Sequence, residues 1–353
     1  MDLDEWRSRI NELDDRILDL LIQRAEAAQA IGALKRRQDL PAYAPEREAE
    51  IVGRLIARNP GPLPAESIRA VWTEILSACR ALEAPLAVSY LGPPATFTHQ
   101  AALRRFGTAA RLTPARSIGE VFDDVERGRV DLGVVPVENS TEGAVNVTLD
   151  RLVDSDATIC GEIYLEIAQH LLSRAGSLAE VKRVISHPQA LAQCRGWLAE
   201  HLPGVPTEEV SSTAAAAELA AADATVAAIA SELAARLYGV PILAARIEDL
   251  ADNSTRFLII GRRPAAPTGR DKTSIVFAMR DEPGALYRML EPCARLGINL
   301  SKIESRPAKH KPWKHVSFVD LDGHRDTPVV GEALREIGER TLFLKILGSY
   351  PAG

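Results

Sequence analysis

The chain has 353 residues, enough for two or three domains with cores of their own. It carries 42 basic and 48 acidic residues, a net charge of −6, with 46% hydrophobic residues, an ordinary globular composition. That balance argues against nucleic acid or an anionic membrane as partner, and no apolar run approaches the roughly 18 residues of a membrane span.

Charges in the first turns (Asp2, Asp4, Glu5, Arg7, Arg9) exclude a secretory signal there. Cys79, Cys160, Cys194 and Cys293 are too widely spaced for a zinc site or a small disulfide framework. The expectation is a cytoplasmic, reduced protein.

Up to Pro85 the pattern is helical. Ile10, Leu13, Ile17, Leu20, Ala28 and Ile31 recur at helical spacing, with no Gly before Gly32. A helix over 3–37 would span roughly 50 Å, too long to cover its own stripe, which predicts a second chain as cover. Pro45 opens a second helix ending before Asn59-Pro60, and Pro64 a third carrying Trp72, Leu76, Cys79 and Leu82 on one face.

Arg24 and Lys35 fall in the middle of the first helix's apolar stripe, about 16 Å apart along the axis. One such cation is explained by a snorkelling stem; two are harder to place without an anionic partner. Arg47 and Glu48 on the second helix and Glu83 on the third add polar groups to the same interior. Together they predict a pocket for a small dicarboxylate. Arg7 lies about 25 Å from Arg24 and reaches such a pocket only from another chain.

Residues 86–261 alternate short apolar strands with helices: strands at 86–91, 132–137, 159–163, 184–186, 226–230 and 257–260, helices at 118–127 and 190–201. This predicts an α/β domain of mostly parallel sheets in two lobes, divided near residue 162, with a cleft between them. Asn139, Ser140 and Thr141, then Ser186-His187 with Gln193, then Ser211 to Thr213 including Ser212, each stand where a strand end meets a helix start. Each alone is ordinary capping; three facing one cleft favour a carboxylate ligand. From residue 271 the order strand–helix–strand–strand–helix–strand predicts an α+β ferredoxin-like module.

The run from Trp6 to Lys35 followed by APERE resembles the all-helical chorismate mutase domain. By that resemblance Arg7 of the other subunit, Arg24 and Arg47 hold the substrate's carboxylates. Lys35 and Glu83 donate hydrogen bonds to its ether oxygen, and Glu48 holds its hydroxyl. Only a protonated Glu83 donates. The reaction, a Claisen rearrangement, needs no nucleophile, only a compact conformer and donors where charge develops. Ala44 departs from the family, whose members often carry Asp there.

VVPVENSTEG, SHPQALAQC and NSTRFLII together resemble prephenate dehydratase, a two-lobed fold like periplasmic binding proteins. The resemblance makes Thr255 the key catalytic hydroxyl and Asn139 and Gln193 orienting groups. It places Ser140, Thr141, Ser186, His187, Ser212, Arg256 and Phe257 against prephenate. Pro94-Ala95 stands where relatives show a charged residue and then Gly.

EPGALY and INLSKIESRP resemble the phenylalanine-binding ACT domain, which implies an effector site at Gly284, Ala285, Leu286, Asn299, Glu304, Ser305 and Arg306. The three segments, 1–85, 86–262 and 271–350, resemble bifunctional chorismate mutase–prephenate dehydratases. The resemblance implies conversion of chorismate through prephenate to phenylpyruvate without metal or organic cofactor. It also implies a homodimer with shared mutase sites and feedback by L-phenylalanine. Two rival readings are an isochorismate–pyruvate lyase pocket and a non-enzymatic solute-binding fold.

Overall fold

The computed structural model describes residues 2–38, 43–280, 282–307 and 315–353. Two compact units emerge, one of residues up to Ala87 together with Leu103–Arg111, the other of Val88–Ala102 and Leu112–Gly353.

The first unit contains the three expected helices, α1 (Leu3–Arg37), α2 (Pro45–Ala57) and α3 (Ala65–Glu83). Asp2 and Glu5 form a reciprocal capping box at the start of α1, and Pro45 occupies the first turn of α2. Gly32 is the one buried residue of α1. Within a single chain, Ile10, Leu13, Ile17, Leu20 and Ile31 remain 40–63% exposed. The apolar stripe exists, and its own chain does not cover it.

The second unit opens with β1 (Ala87–Leu91), α4 (Phe97–Phe106), β2 (Arg111–Ala115), α5 (Ile118–Glu126), β3 (Leu132–Asn139), β4 (Gly143–Ala144), α6 (Asn146–Asp154) and β5 (Thr158–Glu166). The chain continues through β6 (His170–Ser173), β7 (Arg183–Ser186), α7 (Pro188–Gln193), α8 (Arg195–His201), β8 (Thr207–Glu209), α9 (Thr213–Ala222), β9 (Val226–Ala230), α10 (Glu232–Tyr238) and β10 (Ile242–Ala244). It then returns through β11 (Ser254–Gly261).

One sheet runs β2-β1-β3-β11-β5, the other β10-β6-β9-β7-β8. Two lobes are therefore present, but the division is not a simple cut near residue 162, because β11 lies between β3 and β5 in the first sheet. Nor are the sheets mostly parallel. β1–β3, β7–β8 and β7–β9 are parallel, whereas β11 is antiparallel to both neighbours and β6 to β9. An apolar strand buried on both faces reads the same in either direction, so periodicity did not carry this information. The helix expected over 190–201 is broken at Cys194 into α7 and α8.

The last stretch folds as β12 (Asp271–Ala278), α11 (Ala285–Arg295), β13 (Leu300–Pro307), β14 (His315–Asp322), α12 (Pro328–Arg340) and β15 (Phe343–Pro351). The sheet order β13-β14-β12-β15 is antiparallel throughout, the expected ferredoxin-like arrangement. Ile275, Phe277, Met289, Val319, Leu334 and Ile337 form its core. Its strand β15 approaches β5 closely. A Cβ on Gly348 would lie 2.2 Å from the Ile159 carbonyl oxygen, so only glycine fits. No helix among the described residues is long and apolar enough to cross a membrane.

Candidate active sites

In the helical unit, the Arg24 guanidinium lies over the Trp72 ring, 5.6 Å from its centroid, and Lys35 Nζ stands 4.0 Å from Glu83 Oε2. These contacts are eleven residues apart on both helices, so α1 and α3 run in the same direction with their cations and acid on one seam. Glu83 packs directly on Gly32, where a Cβ would meet its Cγ at 2.6 Å. Its Oε2 is buried without a hydrogen-bond partner. A buried, unmet carboxyl oxygen beside a lysine is a poor structural element and a good binding one.

Arg7 and Arg47 are exposed and pair locally, with Asp4 at 3.2 Å and Glu50 at 2.6 Å. Glu48 is half-buried and bound by Arg80, whose guanidinium also donates to the Phe106 carbonyl at 2.9 Å. Burial pushes the neighbouring Tyr43 phenol up to about 12, so it stays neutral beside that pair. Sequence reasoning missed Arg80. The signal was available, since Arg80 stands four residues after Leu76 and eight after Trp72, on the face already read as inward.

In the cleft unit, β3 and β11 place Asn139 opposite Thr255. Asn139 Nδ2 donates to Thr255 Oγ1 at 2.9 Å and to Asn253 Oδ1 at 2.9 Å. Its Oδ1 accepts from the backbone of Thr141 at 3.0 Å, the Thr141 hydroxyl at 2.6 Å and the backbone of Glu142 at 3.2 Å. Thr255 Oγ1 is thus engaged as an acceptor, and among the described residues its O–H donates to no protein group. Thr255 as a residue is 9% exposed. A pocket of about 270 Å³ has Thr141, Glu142, Gln193, Glu248, Asp249 and Asn253 among its walls. Asn139 and Thr255 do not line it; Asn139 reaches it through its hydrogen bonds to Thr141 and Asn253. Gln193 Oε1 accepts from Gln169 Nε2 at 3.2 Å.

The remaining residues divide. Asn139, Ser140 and Thr141 do not sit at a helix start; they form a tight turn, and α6 begins only at Asn146. Ser140 closes that turn, accepting from the Ser254 backbone at 3.0 Å. Ser186 is fully buried and donates to the Ile229 carbonyl at 2.6 Å, so it has no surface for substrate. His187 and Ser212 cap α7 and α9 and lie outside the pocket walls, and Phe257 is buried in the sheet core.

Arg256 is the clearest correction. Neighbouring strand residues face opposite ways, so with Thr255 toward the cleft Arg256 points to the back of the sheet. There it is 6% exposed and bonds Glu162 at 2.8 Å, Asp320 at 2.6 Å and the Tyr350 hydroxyl at 3.0 Å. It holds β11 to the third sheet, not a substrate carboxylate. Ala95 takes a left-handed φ of 68° and is fully buried.

In the third sheet, Gly284 has a φ of 77° and starts α11, with Ala285 and Leu286 following at the surface. Glu304 and Ser305 lie in the register rows that lead to the end of β12 preceding Gly284, Ser305 sharing a hydrogen bond with Ser317 at 2.9 Å. Two predicted effector residues do not join them. Asn299 aligns with the opposite end of the sheet, about 20 Å along β12, and donates to Asp322 at 2.9 Å. Arg306 donates to the Asn146 carbonyl at 2.7 Å and pairs with Asp150 at 3.0 Å, gripping α6.

A helical seam with cations and one unmet acid, an amide–hydroxyl cleft and a ferredoxin-like sheet define an enzyme of three modules. The chorismate mutase type II profile matches residues 6–84, that of prephenate dehydratase 88–265 and that of the ACT domain 273–339. The chain is 51% identical over 354 residues to a bifunctional chorismate mutase/prephenate dehydratase of Aquifex aeolicus, covering 99% of this chain and 98% of that one.

Among solved structures, a prephenate dehydratase from Arthrobacter aurescens in complex with L-Phe is 37% identical with a TM-score of 0.69, covering 75% of this chain and 90% of that one. A structure described as a quorum-quenching acylase is 32% identical with the same TM-score, covering 76% and 98%. One fold therefore carries differently named activities, and chemistry is argued from the site. The chain belongs to the bifunctional chorismate mutase/prephenate dehydratase family. It rearranges chorismate to prephenate and converts prephenate to phenylpyruvate.

Proposed function

We propose that residues 1–85 hold the mutase site, 86–262 the dehydratase site and 271–350 the phenylalanine-responsive module of a cytoplasmic homodimer. The Asn139–Thr255 hydrogen bond carries the dehydratase assignment, because it uses the threonine oxygen as an acceptor and leaves its O–H as a donor, while Asn139 also bonds the pocket-wall residues Thr141 and Asn253. In the reaction the bond to the carboxylate breaks, its electrons enter the ring, and hydroxide leaves as the ring becomes aromatic. Thr255 donates a hydrogen bond to the departing oxygen, Asn139 holds Thr255 in that role, and Gln193 orients the substrate. A threonine is too weak an acid to give up its proton outright, so its part is positional and electrostatic.

In the mutase, Arg24 and Arg47 hold carboxylates, Lys35 and Glu83 meet the ether oxygen, and Glu48 takes the hydroxyl while Arg80 keeps it in place. Arg7 completes the pocket from a second copy, and the uncovered stripe of α1 supports that pairing. Arg7→Ala and Arg24→Ala proteins should each be nearly inactive as mutases, and mixing them after subunit exchange should regenerate one intact site per heterodimer. Exchange without recovered activity would remove the shared site.

Phenylalanine feedback is supported by the Arthrobacter relative solved with L-Phe. The surface at Gly284, Leu286, Glu304 and Ser305 is the proposed effector site. Gly284→Ala places a Cβ 3.3 Å from the flexible Arg288 guanidinium and strains the backbone at its left-handed φ, so the start of α11 must shift. Phenylpyruvate formation from chorismate should persist in this variant while its inhibition by phenylalanine weakens. Unchanged sensitivity would put the effector elsewhere.

A further inference from the structure

We propose that Asn253 binds substrate in the dehydratase cleft, donating its Nδ2–H to a carboxylate oxygen of prephenate. This deepens the dehydratase assignment of the cleft and rests on it. Two backbone amides donate to Asn139 Oδ1, from Thr141 and Glu142, which fixes that atom as oxygen and the other as nitrogen. Asn139 Nδ2 then donates to Asn253, so the receiving atom is Asn253 Oδ1. The free end of Asn253 is thereby its amide nitrogen. Asn253 is 2% exposed, its Nδ2 is buried without a hydrogen-bond partner, and the residue forms part of the pocket wall. A buried donor left unmet at a cavity wall marks where a ligand's acceptor belongs.

The surrounding groups select the acceptor. Of the three acids in the same wall, Glu142 is exposed and the other two are already occupied. Glu248 accepts from the Gln169 backbone at 2.8 Å, and Asp249 from those of Gly196 at 2.8 Å and Trp197 at 2.9 Å. Asn253 directly precedes β11 and Thr255 is its second residue, about 7 Å apart along the chain, and both accept from Asn139 Nδ2. Prephenate carries its hydroxyl at one end of a six-membered ring and its carboxylates at the other. With Thr255 on the hydroxyl, Asn253 falls to a carboxylate, and Asn139 ties the two together.

Asn253→Asp keeps the shape and the acceptor facing Asn139, but turns the donor into an oxygen facing an anion. The KM for prephenate should rise about 10- to 100-fold, with kcat changed far less. Thermal unfolding and chorismate consumption report on the rest of the protein. Asn253→Ala, which also releases Asn139, should raise KM and lower kcat together. A KM within about twofold of wild type in both variants overturns the inference, and if Asn253→Asp does not fold, Asn253→Ala decides by the same measure. Thr255→Ala separates the two levels. If it still forms phenylpyruvate normally, the cleft assignment has failed. If it is inactive while the Asn253 variants bind normally, only the role of Asn253 falls.

Discussion

A Thr255→Ala chain is expected to consume chorismate at the normal rate and accumulate prephenate, with phenylpyruvate formation reduced about 10²- to 10³-fold. The magnitude is that of losing one preorganised donor where negative charge develops. Thr255 has no other evident duty. Its hydroxyl accepts one hydrogen bond, from Asn139, and its methyl replacement leaves β11 paired with β3 and β5 through the backbone. Stability should therefore change little. Following both reactions in one assay tests the separation, and equal loss of both in a folded variant would refute independent sites.

Arg256→Met should do the reverse, lowering stability more than it alters chemistry directly. The guanidinium bridges Glu162, which is fully buried, and Asp320, which is nearly so. Removing one member of such a buried set costs about 3–5 kcal/mol. Here the low end applies, because Lys272 remains 2.8 Å from Glu162 and Ser274 2.6 Å from Asp320. Burial, reinforced by Asp320, holds the Tyr350 phenol far above its ordinary range, so it stays neutral and adds no further negative charge beside the two acids. Denaturant unfolding of Arg256→Met, Asp320→Asn and the double variant forms a cycle. The double variant should be less destabilised than the sum of the single ones. Simple additivity would mean that the pair does not interact.

Much of this was readable from the residues. The three helices followed from apolar spacing and prolines, and the βαββαβ order of the last module from strand and helix periods. Strand direction was not readable, nor was the return of β11 to the first sheet, because pairing partners far apart in sequence leave no local trace. The site was read by motif, and there the period of two was underused. In STRF it puts Thr255 on one face and Arg256 on the other, which separates the cleft residue from the anchor of the third sheet. Ser186 looked like a site residue because strand ends meeting helices favour hydroxyls for capping and for binding alike.

The back of the catalytic strand pair meets the third sheet through charges. Glu138, next to Asn139, pairs with Lys302 at 2.7 Å, and Arg256, next to Thr255, with Asp320. Lys345 caps the far end of α6, 2.9 Å from the Leu152 carbonyl. An interface of this kind behaves unlike a core when it is disturbed. A single substitution strands a buried charge, whereas a tilt of the whole sheet lets water reach every partner at once and repay the lost contacts by hydration. The joint is therefore brittle toward point changes.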